Sequence, residues 1–369
     1  MEKFCKFLAC VAGFLTLTAV SPASAGDFYH RRNLVSDSAA VPAEQRDPNL
    51  VNAWGLAFNP YGVAWVADNH TGLATLYNGN GNGNPQPLVV TVPGAGGATG
   101  SPTGTVFYGG SGFVVGKGAA SGPSRFLFAS EDGGIAGWAP NVDATHAIRV
   151  VDNGAGNAVY KGIALSGNGR GTLLYATDFH NGKIDVYDSN FKPAYLSGHF
   201  HDPQLPAGFA PFGIQNVGGD LYVTYAKQDA QRMDDVPGRG RGFVDVFAPD
   251  GHLLRRLVTG GALNAPWGIA LAPASFGRFG NRLLVGNFGD GLINVYDPAT
   301  GTWLGRLKES RGKAIHIDGL WGIAFGNGVN DQPVDTLFFA AGPDDENHGL
   351  YGRIDVAPGD EHDDTPDTQ

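Results

Sequence analysis

The chain has 369 residues, is 42% hydrophobic, carries a formal net charge of −10 and contains 57 glycines and 23 prolines. That acidity argues against a nucleic-acid groove or an anionic membrane surface as partner, since each needs clustered Lys and Arg. Both cysteines, Cys5 and Cys10, stand at the amino terminus, which excludes thiolate zinc sites, disulfides and cysteine nucleophiles from everything downstream.

Residues 1–25 read as a signal peptide. Lys3 and Lys6 precede an apolar run from Phe7 to Val20, and "SPASA" places a small-residue cleavage site after Ala25. The run falls short of the ~20 residues that a membrane-spanning helix needs, and no second apolar segment follows it. The expectation is an exported protein, periplasmic or extracellular, with no membrane span.

From there a short pattern recurs. "NAWGLAFNP" near residue 52 returns as "APFGIQNVG", "APWGIALAP" and "GLWGIAFGN". Taking the glycine that opens each apolar strand as marker, the pairs are Trp54-Gly55, Thr103-Gly104, Lys161-Gly162, Phe212-Gly213, Trp267-Gly268 and Trp321-Gly322, with successive glycines 49 to 58 residues apart. Each is followed by a second strand ending in a polar turn, such as "GVAWVADNHTG" or "TLLYATDFHNG", and then by an alternating third strand, such as "KIDVYDSN" or "LINVYDPATG". Alternation of apolar and polar residues marks strands with one packed face. Turns rich in Gly, Asp and Asn close each unit into a fourth strand.

Such units cannot bury their faces alone, and a radial arrangement packs each on two neighbours. The predicted fold is all-β: a six-bladed β-propeller of four-stranded antiparallel blades over residues 26–358, with an acidic disordered tail at 359–369. The last repeat supplies only three strands, whereas "RRNLVSD" at 31–37 precedes "AWGLA" as "RRLVTGG" precedes "APWGIA". The segment around Arg32 to Ser36 is therefore expected to pair with the strand around Arg353 to Val356 and close the ring.

The pattern Pro-x-Gly-Ile-Ala, Val-x-x-Asp, polar turn, Ile-x-Val-Tyr-Asp resembles the NHL-repeat propellers. The opening "RNLVSDSAAVPAEQRDPNLVNAWGLAFNP", with "ASEDGGIAGWAP", is similar to an exported, uncharacterised family of bacterial and fungal propellers. The resemblance covers nearly all of the mature chain and implies the fold. It implies little about activity, because this scaffold carries binding modules, lactonases, lyases and hydrolases.

Function is expected on one rim, where the strand entrances meet the turns that end the second strands. Trp54, Phe212, Trp267 and Trp321 could stack on a small molecule or glycan oriented by Lys161, or the aromatic rings could fill the wedges between blades; packing is the favoured reading. Lys161 breaks the aromatic pattern and is the entrance residue of most interest. The triplets "DNH" at 68–70 and "DFH" at 178–180 could offer Asp68, His70, Asp178 and His180, with His348, to a divalent metal ion. The favoured alternative is that Asp68 and Asp178 cap their own turns. The insertion at 228–242, "QDAQRMDDVPGRGRG", is the longest between a second and a third strand and should hang over this rim. Two functions remain: a monomeric binding or interaction propeller whose rim receives a small molecule, glycan or protein, and a metal-assisted lyase or hydrolase, lactonase-like chemistry included, working from the same rim.

Overall fold

A computed structural model describes residues 28–357 apart from 168 and 170. The signal peptide expected at 1–25 and the tail expected at 359–369 lie outside the described residues. Every sheet of three or more strands is one antiparallel blade, apart from a short parallel appendage on the last, and six of them form a β-propeller. Blade 1 is Ala53–Phe58, Ala64–Asp68, Leu73–Tyr77 and Val90–Thr91, from the inner strand to the outer. Blade 2 is Pro102–Phe107, Phe126–Ser130, Gly134–Trp138 and Ile148–Asp152. The inner strands of blades 3 to 6 are Tyr160–Gly167, Phe209–Val217, Pro266–Leu271 and Leu320–Phe325.

The ring closes as expected. Tyr29–Ser36 pairs antiparallel with Leu350–Val356, with Arg32 opposite Arg353 and Ser36 opposite Leu350. Leu34 and Val35 of this strand are fully buried among Val66, Tyr77, Phe338 and Tyr351, between the last blade and the first. Fully burying side chains of this size contributes roughly 1.5–3 kcal/mol each.

Two departures from the regular plan have physical causes. The outer edge of blade 3 is a single bridge, Tyr187 to Pro193, in place of a fourth strand, because proline has no N–H to donate to a ladder. Blade 2 carries an additional hairpin, Val114–Lys117 with Ala120–Pro123, between its first and second strands. This hairpin accounts for the longest interval in the glycine pattern.

The recurring glycines are explained by how closely the inner strands approach one another. A Cβ on Gly55 would lie 2.3 Å from the Thr103 carbonyl, one on Gly104 2.7 Å from the Ile163 nitrogen, and one on Gly162 2.9 Å from the Phe212 carbonyl. The series continues from Gly213 to Trp267 at 2.1 Å, from Gly268 to Trp321 at 2.6 Å and from Gly322 to Trp54 at 2.7 Å. Each glycine thus meets the backbone of the next blade, and the last meets the first. No side chain fits into this neck, which is why glycine is required there.

Candidate functional site

The neck divides the central channel into an upper part, beside the strand entrances, and a lower part. All five entrance residues singled out from the sequence converge on the upper part, and their mutual contacts largely occupy it. Trp321 is sandwiched between Trp54, with ring centroids 3.6 Å apart, and Phe288, at 3.9 Å. Trp267 meets Trp321 edge-on at 5.9 Å, Phe212 meets it at 5.6 Å, and Phe179 packs on Phe212 at 5.1 Å. Trp54, Phe212 and Trp321 are at most 2% exposed. These rings neither wedge between blades nor offer free faces to a sugar; they form an aromatic plug across the axis.

Lys161 sits inside this plug, 1% exposed, with its Nζ 5.2 Å from the centre of the Trp54 ring. The ammonium is held by Glu131 Oε1 at 2.5 Å and Asp234 Oδ1 at 2.9 Å. Burial alone would pull its pKa down, yet the charges of Glu131 and Asp234 outweigh burial and hold it above the ordinary lysine value. Lys161 is therefore a fixed positive charge, not a neutral amine poised for nucleophilic attack.

A hydrogen-bonded chain extends from the plug across five blades. Trp321 Nε1 donates to Asn52 Oδ1 at 3.1 Å, and Asn52 Nδ2 donates to Glu346 Oε1 at 3.0 Å and to Asn69 Oδ1 at 3.3 Å. Asn69 Nδ2 in turn donates to Glu131 Oε2 at 2.9 Å. Glu131 then leads through Lys161 to Asp234, which lies in the insertion at 228–242, so that insertion extends to the axis. Its neighbour Asp235 has a buried Oδ2 with no hydrogen-bond partner. Burial pushes the Asp235 carboxyl up to about 7; Lys161 opposes the rise, while Asp234 and Glu346 add to it. Burial likewise raises the Glu346 carboxyl.

Glu346 reaches the axis through an unusual backbone. Asp344, Asp345 and Glu346 all have left-handed φ angles, of 59°, 49° and 65°, a conformation that costs roughly 1–2 kcal/mol for each L-residue without compensation.

The residues proposed as metal ligands do not come together. Asp178 caps its own turn, accepting from Asn181 Nδ2 at 2.7 Å and from the Val159 amide at 3.2 Å. Asp68 is fully buried beside Thr75, and burial raises its pKa well above the ordinary range, a rise that Thr75 opposes. His348 Nδ1 is 2.8 Å from Asp37 Oδ2, at the ring closure. His70 is exposed and His180 half-buried. Among the described residues, no group of three or more His, Cys, Asp or Glu is placed to hold a metal ion.

The reason is strand alternation. Each triplet directs its first residue between blades and its middle residue to the axis, so "DNH" contributes Asn69 and "DFH" contributes Phe179. Asn52, Asn69, Asp234, Asp235 and Glu346 were not singled out from the sequence. Reading one residue past each repeat aspartate would have found Asn69, Phe179 and, after Asn287, Phe288.

No protein-family model matches the chain. Among solved structures, a structural genomics protein of unknown function from Bacteroides thetaiotaomicron aligns with a TM-score of 0.54 at 10% identity, over 90% of this chain and 74% of that one. A streptogramin B lyase aligns at 0.50 and 13%, over 89% and 98%. A glucose dehydrogenase aligns at 0.51 and 13%, over 84% and 98%. Such distant likenesses show the propeller fold alone, on proteins of varied function, and among the described residues no helix is long and apolar enough to cross a membrane. Sequence relatives are nearer. Uncharacterized protein R648 of Acanthamoeba polyphaga mimivirus is 32% identical over 87% of this chain and 79% of its own length, and Uncharacterized protein L690 of the same virus is 32% identical over 87% and 84%. At that identity and coverage, the chain belongs to one β-propeller family with these two mimivirus proteins.

Proposed function

We propose that the protein is an exported, monomeric binding propeller of the NHL-repeat kind, and that the acidic cluster over the aromatic plug on its upper face takes a cationic group of a small molecule or of a protein partner. The observation that carries this reading is the charge balance: Glu131, Asp234, Asp235 and Glu346 gather around one lysine, and burial, with the neighbouring carboxylates, pushes Asp235 toward its neutral form, which a second cation would reverse. A ligand ammonium or guanidinium would supply that cation. The left-handed run at 344–346 supports the same reading, since strained backbone collects where a side chain must be presented at a fixed place. The metal-assisted lyase or hydrolase reading would need Asp68, His70, Asp178, His180 and His348 to meet, and no contact between them favours it.

Titration calorimetry with L-arginine amide and spermidine, against glutamate as an anionic control, tests the proposal. The cations should bind more tightly at pH 8 than at pH 6, because Asp235 must ionise to receive them. Asp235→Asn should remove that pH dependence, and Glu346→Gln should weaken binding at both pH values. Equal affinity for cation and anion, or an unchanged pH profile in Asp235→Asn, would refute it. Export is tested separately, by sequencing the amino terminus of protein recovered outside the cytoplasm for a start at Gly26.

A further inference from the structure

Among the described residues five blades carry a fourth, outer strand, and blade 3 does not. Its strands are Tyr160–Gly167, Thr172–Asp178 and Lys183–Tyr187. Beyond Tyr187 the chain turns back and pairs once, Pro193 with Tyr187, and the Ala194 amide donates to the Val186 carbonyl at 2.8 Å. It then leaves the edge. In a continued ladder Tyr195 would stand opposite Asp185, but Tyr195 is 94% exposed. Residues of an antiparallel strand direct their N–H and C=O alternately to one neighbour and the other. The Val186 carbonyl points away from the second strand, so the N–H and C=O of Ile184 do the same, toward a place that no described strand fills.

A cavity of about 400 Å³ lies at that place. Its wall includes Ile184 and Val186, which pack toward blade 4, and also Asp185 and Tyr187, which face blade 2. Successive side chains of a strand point to opposite faces, so a space that touches both sets runs along the edge of the sheet. This is where the outer strand stands in the other blades.

Those blades also show which side chain belongs there. Counted across the ladders from the residue after the neck glycine, the third-strand residue equivalent to Asp185 is Ala136 in blade 2, Asp245 in blade 4 and Asn294 in blade 5. Directly across from it on the outer strand stand Arg149, Arg256 and Arg306. In blade 4 the two form an ion pair, Arg256 Nε to Asp245 Oδ1 at 3.3 Å. Each arginine is followed by an aliphatic residue, Val150, Leu257 or Leu307, that packs toward the next blade. In blade 3 the carboxylate is present and the arginine is not. Asp185 accepts from the Tyr160 hydroxyl at 2.8 Å and from Lys183 Nζ at 2.7 Å, and the Lys183 side chain is 53% exposed, free to yield its place.

We infer that blade 3 is an acceptor for an extended segment of a partner protein, which adds as the missing outer strand and carries an arginine followed by an aliphatic residue. Main-chain hydrogen bonds to Ile184 hold the segment, in the manner of strand addition to an open sheet edge. Its arginine meets Asp185 in place of Lys183, and its aliphatic residue packs beside Ile184 and Val186. The net charge of −10 attracts such a basic segment from a distance. This site is separate from the acidic cluster on the upper face, and it differs in requiring an extended backbone as well as a cation.

The test is fluorescence anisotropy of a labelled peptide copied from the outer strand of blade 4, LLRRLVT, residues 253–259, titrated with the intact protein. One control peptide has glutamate in place of both arginines. A second keeps the arginines and has proline in place of Leu254 and Val258, which preserves the charge but removes strand donors. The parent peptide should bind at least about tenfold more tightly than either control. Asp185→Asn should weaken it about tenfold, the effect of one charge-assisted hydrogen bond. Ile184→Pro, which removes an outward-facing donor and no bond to the second strand, should abolish binding. Hydrogen exchange of the Ile184 amide should slow at least about tenfold when the parent peptide is added. Asp235→Asn and Glu346→Gln, on the upper face, should leave the affinity unchanged, which separates failure of this site from failure of the acidic cluster. Equal binding of the proline peptide, or unchanged affinity in Asp185→Asn, would overturn the inference. Loss of binding in Glu346→Gln would also overturn it, by assigning the peptide to the upper face. An Ile184 amide that already exchanges as slowly as that of Val244 in the free protein would do so as well, since the chain after Ala194 would then complete the blade by itself. So would a dimer in sedimentation velocity that Ile184→Pro dissolves, because the occupant of the edge would then be a second copy.

Discussion

The two ends of the central channel are built on the same six strands and differ in what the side chains do with the space. Above the neck, Trp54, Phe212, Trp267, Trp321 and Lys161 turn inward and fill the axis. Below it, the side chains lean toward neighbouring blades and leave a cavity of about 540 Å³. Backbone symmetry therefore does not decide where a propeller is open; the residue on either side of each neck glycine does. Bulky rings before the glycine close one face, and branched aliphatics and alanine after it leave the other hollow.

The sharpest way to break this contrast is to remove the plug. Trp321→Ala deletes the ring held between Trp54 and Phe288 and should cost about 3–5 kcal/mol, read by denaturant unfolding. The same variant should let the neutral dye Nile red reach the neck from above. A stability unchanged within 1 kcal/mol would show that the aromatic contacts do not hold the ring.

Next in size is the neck. Gly213→Ala would put a methyl group 2.1 Å from the Trp267 carbonyl, a clash with backbone that should cost about 3 kcal/mol. Gly156→Ala, where nothing lies within 4 Å of the added carbon, should shift stability by less than about 0.5 kcal/mol. Equal effects at the two sites would refute the account of why the glycines recur.

The smallest effect concerns pH. Asp68 is buried beside the closing seam with its pKa well above the ordinary aspartate value. A carboxyl raised in this way stabilises the fold when protonated, and that contribution is lost as pH rises from about 4 through the folded-state pKa. The melting temperature should therefore fall over that interval, and Asp68→Asn should flatten the fall and raise the melting temperature at neutral pH. Asp235, pushed up to about 7, contributes a slope of the same sign, so the double variant Asp68→Asn with Asp235→Asn should be flatter still. A pH profile identical in wild type and Asp68→Asn would remove Asp68 as its source.

Much of the architecture could be read from the chain because each blade repeats its instructions. The glycine-opened strand, the alternating third strand and the displaced "RRNLVSD" segment locate the blades and the closure. The additional hairpin at 114–123 and the truncated edge of blade 3 could not be read this way, since each occurs once and breaks the period. The site was half legible. Five entrance residues do meet on the axis, and Lys161 is the charged centre, because identical positions in a ring must face each other. What they do there depends on depth along the axis, which sequence spacing does not encode, and rings read as wedges or stacking platforms became a plug. Glu346 and Asp234 reach the centre from a left-handed turn and a long insertion, neither of which follows the repeat.

The glycine neck has a consequence for how such a protein can diversify. Six strands touching backbone to backbone form a hub whose geometry owes nothing to the chemistry at either mouth. Substitutions above it can rewrite one face while those below rewrite the other, and neither disturbs the bearing on which both turn. A family built on this hub can thus exchange what it recognises at one end without retraining the opposite end.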